Sequence, residues 1–210
     1  MAAVAKPIYA MGFIDGQNLF QHAKAAFGHY HPNYDPIKLH AHVCASKGWT
    51  PNLTRFYSGI PTVAEDPRWA GYWSNRVLAM KRAGVDVTTR PLRYRTEYAF
   101  DENGDEKVIS VPHEKGIDVR LALDIVSCAV TKQFDVAVIY SQDQDLSEVV
   151  ADIKKIAKIA GRDITLASAF PSGPNASAKR GVNGTDWIPI SKADYDQCLD
   201  PRDYRPADWF

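Results

Sequence analysis

The sequence predicts an α/β protein: a three-layer α/β/α sandwich around a mainly parallel central sheet, with one β-hairpin inserted. Two observations lead to this class. Apolar runs of strand length recur along the chain with helical patterns between them, the rhythm of βαβ units. Those runs read as buried on both faces, which is the condition of a parallel sheet covered by helices on each side. A third observation marks the insertion, where one stretch alternates in polarity on both sides of an Asn-Gly pair.

The strand-length runs are 8–14, 53–60, 85–89, 134–140 and 164–169. Between the first two, PIKLHAHVCASK (36–47) reads as a helix, with Pro36 in its first turn and Gly48 just past its end. A second helix is predicted over 67–83, where Trp69, Tyr72, Trp73, Val77 and Met80 recur at three-and-four spacing. That spacing describes a core face in preference to a base-stacking platform. LRYRTEYAFDENGDEKVISV (92–111) is the hairpin arm turning at Asn103-Gly104, with Arg93 and Arg95 on one face and Tyr94 and Tyr98 on the other. HEKGIDVRLALDIVSCAV (113–130) is the helix that feeds the fourth run. The stretch 171–184 is a Gly-, Pro-, Ser- and Asn-rich loop, and the chain closes in an acidic, aromatic tail. The whole is expected to be one domain over 1–210, with a core of 8–190, the insertion at 92–111 and a tail of 191–210.

Lys plus Arg and Asp plus Glu number 25 each, so no net field draws the chain towards polyanions. A nucleic-acid contact must then rest on local charge or on bound metal. The three cysteines, Cys44, Cys128 and Cys198, fall in no CxxC or Cys/His spacing, which argues against a disulfide framework and a structural zinc site. A cytoplasmic location is expected, without a membrane span. A homo-oligomer is left open.

The acids carry the chemistry. FIDGQN places Asp15 directly after an apolar strand, with Gly16 in the turn and Asn18 at a helix start. A turn and an N-cap would account for this much. VIYSQDQDLSE repeats the arrangement with Ser141, Asp143 and Asp145. Asp145 and Glu148 form a capping-box-like pair, which explains one carboxylate and leaves Asp143 unexplained. In the helix over 113–130, at about 100° per residue, Asp118 falls on the arc of Leu121, Ala122, Ile125 and Ala129. It is therefore expected to point into the face that packs on the sheet, at a cost unless paired or metal-bound. Asp124 falls with Arg120 and Ser127 on an outer polar stripe, where a surface ion pair explains it.

If the first and fourth strands are neighbours, Asp15 and Asp143 adjoin at the switch point of the sheet, close to Asp118. Carboxylates sharing a rim with no His or Cys suit a hard cation, Mg2+ or Mn2+. Such a site serves phosphate chemistry, with Asn18 and Ser141 supporting it by hydrogen bonds. Lys115 and His113 are candidates for phosphate contact, and Arg93 and Arg95 for a basic arm on the substrate.

The combination of FIDGQN, EKGIDVRLALDI and SQDQDL resembles the NYN domain, in the LabA-like branch of the PIN-like nucleases. The resemblance spans roughly residues 8–190. It implies a PIN-like α/β/α fold and an Mg2+-binding acidic pocket that cleaves RNA. It places Asp15, Asp118, Asp143 and Asp145 at the family's acidic positions and Asn18 and Ser141 at its polar supporting ones. Two departures stand out: Gln142 where the family usually has a small residue, and Leu146 where it usually has Phe. Gln142 adds bulk where the backbone would approach a ligand. Two other readings compete with a metal-dependent ribonuclease. One is a PIN-like module that binds RNA or protein without cleaving. The other is a phosphatase of the haloacid-dehalogenase type with Asp143 as nucleophile, which leaves the Asp15 strand without a role.

Overall fold

The computed structural model describes residues 6–100 and 104–206. Six parallel strands form the central sheet in the order β3-β2-β1-β6-β7-β8. They are β1 (Tyr9–Asp15), β2 (Thr50–Ile60), β3 (Asp86–Pro91), β6 (Val136–Tyr140), β7 (Thr165–Pro171) and β8 (Asp186–Ile190). The hairpin, β4 (Arg93–Phe100) with β5 (Glu106–His113), is a separate antiparallel ribbon. Its register confirms the predicted insertion. Of the expected turn pair, Asn103 lies outside the described residues and Gly104 has a φ of +86°.

The helices divide between the two faces as the side-chain alternation of β1 requires. Ala10 and Ile14 pack with α1 (Gly16–Phe27), α2 (Pro36–Lys47), α3 (Pro67–Arg82) and α6 (Lys192–Gln197). Met11 and Phe13 point the other way and pack with α4 (Ile117–Val130) and α5 (Leu146–Ala160). Three layers result. The chain winds one way on the first face, then crosses through the hairpin and α4 to wind on the second. Strand order therefore reverses between β1 and β6, and the carboxyl ends of these two strands form the switch point at which ligands bind in open α/β sheets.

Helix boundaries follow local chemistry. Asp35 caps α2 by accepting from the Ile37 and Lys38 amides, Pro36 fills the first position, and Gly48 ends the helix in the left-handed region. Gly16 is required for another reason: a Cβ there would lie 2.5 Å from the Phe56 ring and 2.9 Å from the Tyr57 carbonyl oxygen. The start of α1 is thus pressed against β2, and this fixes the direction in which the chain leaves Asp15.

Three expectations are corrected here. The helix predicted from His113 begins at Ile117; His113 closes β5 and bonds Glu97 across the hairpin at 2.9 Å. β8 interrupts what the sequence presents as loop and tail. It is a short edge strand containing Pro189, a residue tolerated at an edge because no further ladder is needed there. The segment after it is not detached, since Tyr195, Cys198 and Tyr204 are buried in the first core. All three cysteines are free and buried. Among the described residues no helix is long and apolar enough to cross a membrane.

Candidate active site

Asp15 ends β1 and is 9% exposed. One oxygen, Oδ1, accepts the Asn18 amide at 3.0 Å as the N-cap of α1; the other, Oδ2, accepts the Ser141 hydroxyl at 3.2 Å from the end of β6. Asn18 Oδ1 in turn accepts the Gln142 amide at 2.9 Å. The two strand ends are thus tied together by side chains from both. Burial pushes the Asp15 carboxyl up to about 6; the bonds from Asn18 and Ser141 oppose this, and the charges of Asp143 and Asp118 reinforce it. An N-cap does not require such burial, which carries a cost for the charged carboxylate.

Asp143 is half-buried in the turn after β6, where its amide donates to Ser141 Oγ at 3.1 Å and its Oδ1 accepts the Asp145 amide at 3.0 Å. The expected capping box does not form: the Asp145 side chain makes no cap bond to α5, and the Asp143 side chain takes the Asp145 amide instead. Asp145 is exposed and lines, with Asp118, Asp143 and Glu148, a groove between the first turns of α4 and α5.

Asp118 is exposed and does not point into the packed face, contrary to expectation. It shares an arc with Leu121 and Ile125, but it is the second residue of α4, and that first turn opens towards the groove. Asp124 is the acid that the sheet covers, at 5% exposure. It accepts the Tyr57 hydroxyl at 2.9 Å, pairs with Arg120, and lies 3.4 Å from Arg55. Burial alone would raise its carboxyl; the bonds from Arg120 and Tyr57 and the charges of Arg120 and Arg55 outweigh it and hold the group below the usual range. Asp124 is structural, as its pairing with Arg120 implied, but it is itself buried: Arg120 reaches it from the exposed side, while Tyr57 and Arg55 hold it from the sheet.

Glu114 joins the acidic group although the motif reading gave it no role. Its Oε2 accepts the Gly59 amide at 2.5 Å. Burial pushes its carboxyl up to about 7, opposed by that bond and reinforced by the charges of Asp15 and Asp118. The signal lay in the sequence, as the acid preceding Lys115-Gly116, but only the folded chain brings it to the Gly59 amide of β2, within reach of the Asp15 charge.

Asp15 thus feels the charges of Asp143 and Asp118, and Glu114 those of Asp15 and Asp118. Among the described residues no three His, Cys, Asp or Glu side chains stand together closely enough to hold a metal ion. The expectation that Asp15, Asp118 and Asp143 meet at one point is to that extent corrected: like charges at a partly buried rim repel and stand apart. The donor chemistry nevertheless fits a hard cation. Every candidate donor is a carboxylate oxygen, and Asp15 is buried without a cationic partner among its hydrogen bonds.

The other candidates divide. Ser141 and Asn18 act on Asp15 and on the β6 turn, as supports. Lys115 is exposed on the link between β5 and α4. Arg93 and Arg95 are exposed on the hairpin, where Arg93 pairs in register with His113, the residue before Glu114. Gln142 turns its bulk away from the rim, donating to the carbonyls of Arg180 at 2.7 Å and Ala178 at 3.3 Å. Gln144 reaches Gly181 in the same loop at 3.1 Å. The departure at Gln142 is thus a strap for the loop over 172–184.

Comparison with known proteins agrees with this architecture. A solved structure of a protein of unknown function from Vibrio parahaemolyticus is similar over 90% of this chain and 96% of its own, with a TM-score of 0.52 and 16% identity, a likeness of fold. No curated protein matches the chain. The NYN domain matches residues 10–170, which takes in β1, the acidic rim and β7. The chain belongs to the NYN domain family, within the PIN-like nucleases.

Proposed function

We propose that the protein is a metal-dependent ribonuclease of the LabA-like branch, hydrolysing RNA phosphodiester bonds at the rim formed by β1, β6 and α4. The observation that supports it best is Asp15: a buried carboxylate, bonded to Ser141 and Asn18 and facing further acids in place of a cation. A protein with no use for the group would be expected to pair it, as it pairs Asp124.

In this reading Asp15, Asp118 and Asp143 would hold Mg2+ or Mn2+, the cation drawing together carboxylates that repel one another without it, with Asp145 and Glu114 at the margin of the set. When bound, the cation supplies Lewis-acid stabilisation of the phosphoryl oxygens and a water of lowered pKa. Ser141 keeps Asp15 oriented and more readily ionised, since its hydroxyl bonds the charged form. Asn18 holds the turn that carries Asp143 against α1. Lys115, exposed just before the first turn of α4, is the cation proposed to meet a phosphate of the substrate.

The test is incubation of the purified protein with single-stranded and structured RNA and with DNA, in Mg2+, Mn2+ or EDTA. Cleavage of RNA that needs the metal and is lost in Asp15→Asn is the expected result. Binding without cleavage in every metal would replace this reading with the non-catalytic one.

A further inference from the structure

A second concavity lies beside the acidic rim, on the α1 and α3 side of the sheet. Among the described residues its walls carry four aromatic rings, Phe20 from α1, Trp69 and Trp73 from α3, and Tyr94 from the base of the hairpin, set among prolines and Leu92. Trp73 is a core residue, but Phe20, Trp69 and Tyr94 are only half-buried. Polar groups edge the opening, with Gln21 exposed and Asp66 half-buried.

The partition between this concavity and the acids is one residue thick. Gln17, on the wall of the aromatic groove, donates from Nε2 to the Gly59 carbonyl at 3.1 Å, and the Gly59 amide donates to Glu114 at 2.5 Å. A Cβ on Gly59 would stand 2.5 Å from Leu92 Cδ2, in the groove, and 2.9 Å from Glu114 Oε2, in the acidic group. Only glycine lets the two sites lie back to back.

We propose that this groove receives one unpaired nucleobase of the strand whose phosphate lies at the acidic rim. The inference rests on the nuclease reading and names its substrate as single-stranded. Aromatic faces accept any base by stacking, and a base already stacked in a duplex cannot enter. The polar edge at Gln21 and Asp66 meets the hydrogen-bonding edge of a base, which a purely apolar partner would leave unpaired. Alternation along β4 turns Leu92 and Tyr94 into the groove and Arg93 and Arg95 to the opposite, exposed face of the ribbon, so the arginines take no part in the base site. Tyr98, at 69% exposure, is too far along the arm to take part in the groove.

The experiment uses the full chain carrying Asp143→Asn to prevent cleavage, with 5′-fluorescein-labelled eight-nucleotide RNAs in Mg2+, read by anisotropy. The RNAs are an unpaired strand, the same strand in a duplex, and a set with one abasic site at each position. Tyr94→Ala and Trp69→Ala should each weaken binding of the unpaired strand by about 5- to 100-fold. One abasic position should cause a similar loss, on which Tyr94→Ala adds nothing further. Tyr94→Leu, which retains the apolar packing without the ring, should lose affinity as Tyr94→Ala does, and thermal melts establish that each variant is folded. Undiminished affinity in folded Tyr94→Leu and Trp69→Ala, or equal losses for intact and abasic RNA, overturns the base site. Wild-type cleavage of RNA with indifference to abasic positions overturns the base site alone. An RNA neither bound by this background nor cut by the wild type in Mg2+ or Mn2+ overturns the nuclease reading, and the base site with it.

Discussion

The Ser141 hydroxyl donates to Asp15 Oδ2 across 3.2 Å, joining the last residue of β1 to the residue that follows β6. The bond favours the charged form of a carboxyl that burial pushes up to about 6. Ser141→Ala should therefore raise the Asp15 pKa further and move the acidic limb of the pH-rate profile to higher pH. Stability should fall by only about 1 kcal/mol. A pH-rate profile unchanged in Ser141→Ala would show that Asp15 ionisation does not govern the reaction.

Asp15 itself should make the metal-free protein less stable as pH rises. Its carboxyl goes from an ordinary 3.8 to about 6 on folding, so between about pH 4 and 6 the folded state binds more protons than the unfolded one. Stability then falls as pH rises through that window, and above it the penalty is constant. In EDTA, Asp15→Asn should equal the wild type near pH 4 and exceed it at pH 8 by up to about 3 kcal/mol. Mg2+ should reduce that difference at pH 8. Thermal melts of both proteins across this range check the sign.

Asp118 and Asp124 should separate cleanly. Asp118→Asn leaves an exposed residue polar, and the fold should keep its melting temperature while metal-dependent cleavage is lost. Asp124→Asn withdraws the charge that Arg55 and Arg120 face, and should cost about 3 kcal/mol. Urea titration beside a cleavage assay distinguishes the two. A stable Asp124→Asn without activity would place Asp124 in the chemistry.

Replacing Arg93 and Arg95 together by Ala should weaken RNA binding and reduce the slope of log affinity against log salt by about 2. Metal affinity should not change, because the hairpin arginines are not part of the acidic group. Binding measured across a salt series decides it; an unchanged slope, with a changed sedimentation coefficient, would make the arm a contact between copies of this chain.

Most of the fold was legible because its determinants are local. The βαβ rhythm, the bounds of α2 and the hairpin come from apolar runs, Pro and Gly positions and alternation, each read within a dozen residues. β8 was not legible, since a five-residue edge strand with a proline carries almost no pattern. Asp15, Asn18, Ser141 and Asp143 could be placed because strand ends locate the rim. The exposure of Asp118 and the burial of Asp124 are not legible in the sequence, because a helical wheel takes no account of where the sheet stops. The first turn opens onto the groove, whereas Asp124 lies under Tyr57 and Arg55, partners more than sixty residues away in sequence. Glu114 needed the same long-range packing, through the Gly59 amide.

The pairing of β1 with β6 also sets when the acidic rim comes into being during synthesis. β1 ends at Asp15, but its second neighbour begins only at Val136 and is made later. Until then β1 has β2 on one side and an unpaired edge on the other, open to pairing with another chain. A nascent or truncated chain that stops before Ser141 has neither Asp143 nor the hydroxyl that orients Asp15. Such a fragment has an incomplete acidic rim and an open sheet edge that is prone to aggregate.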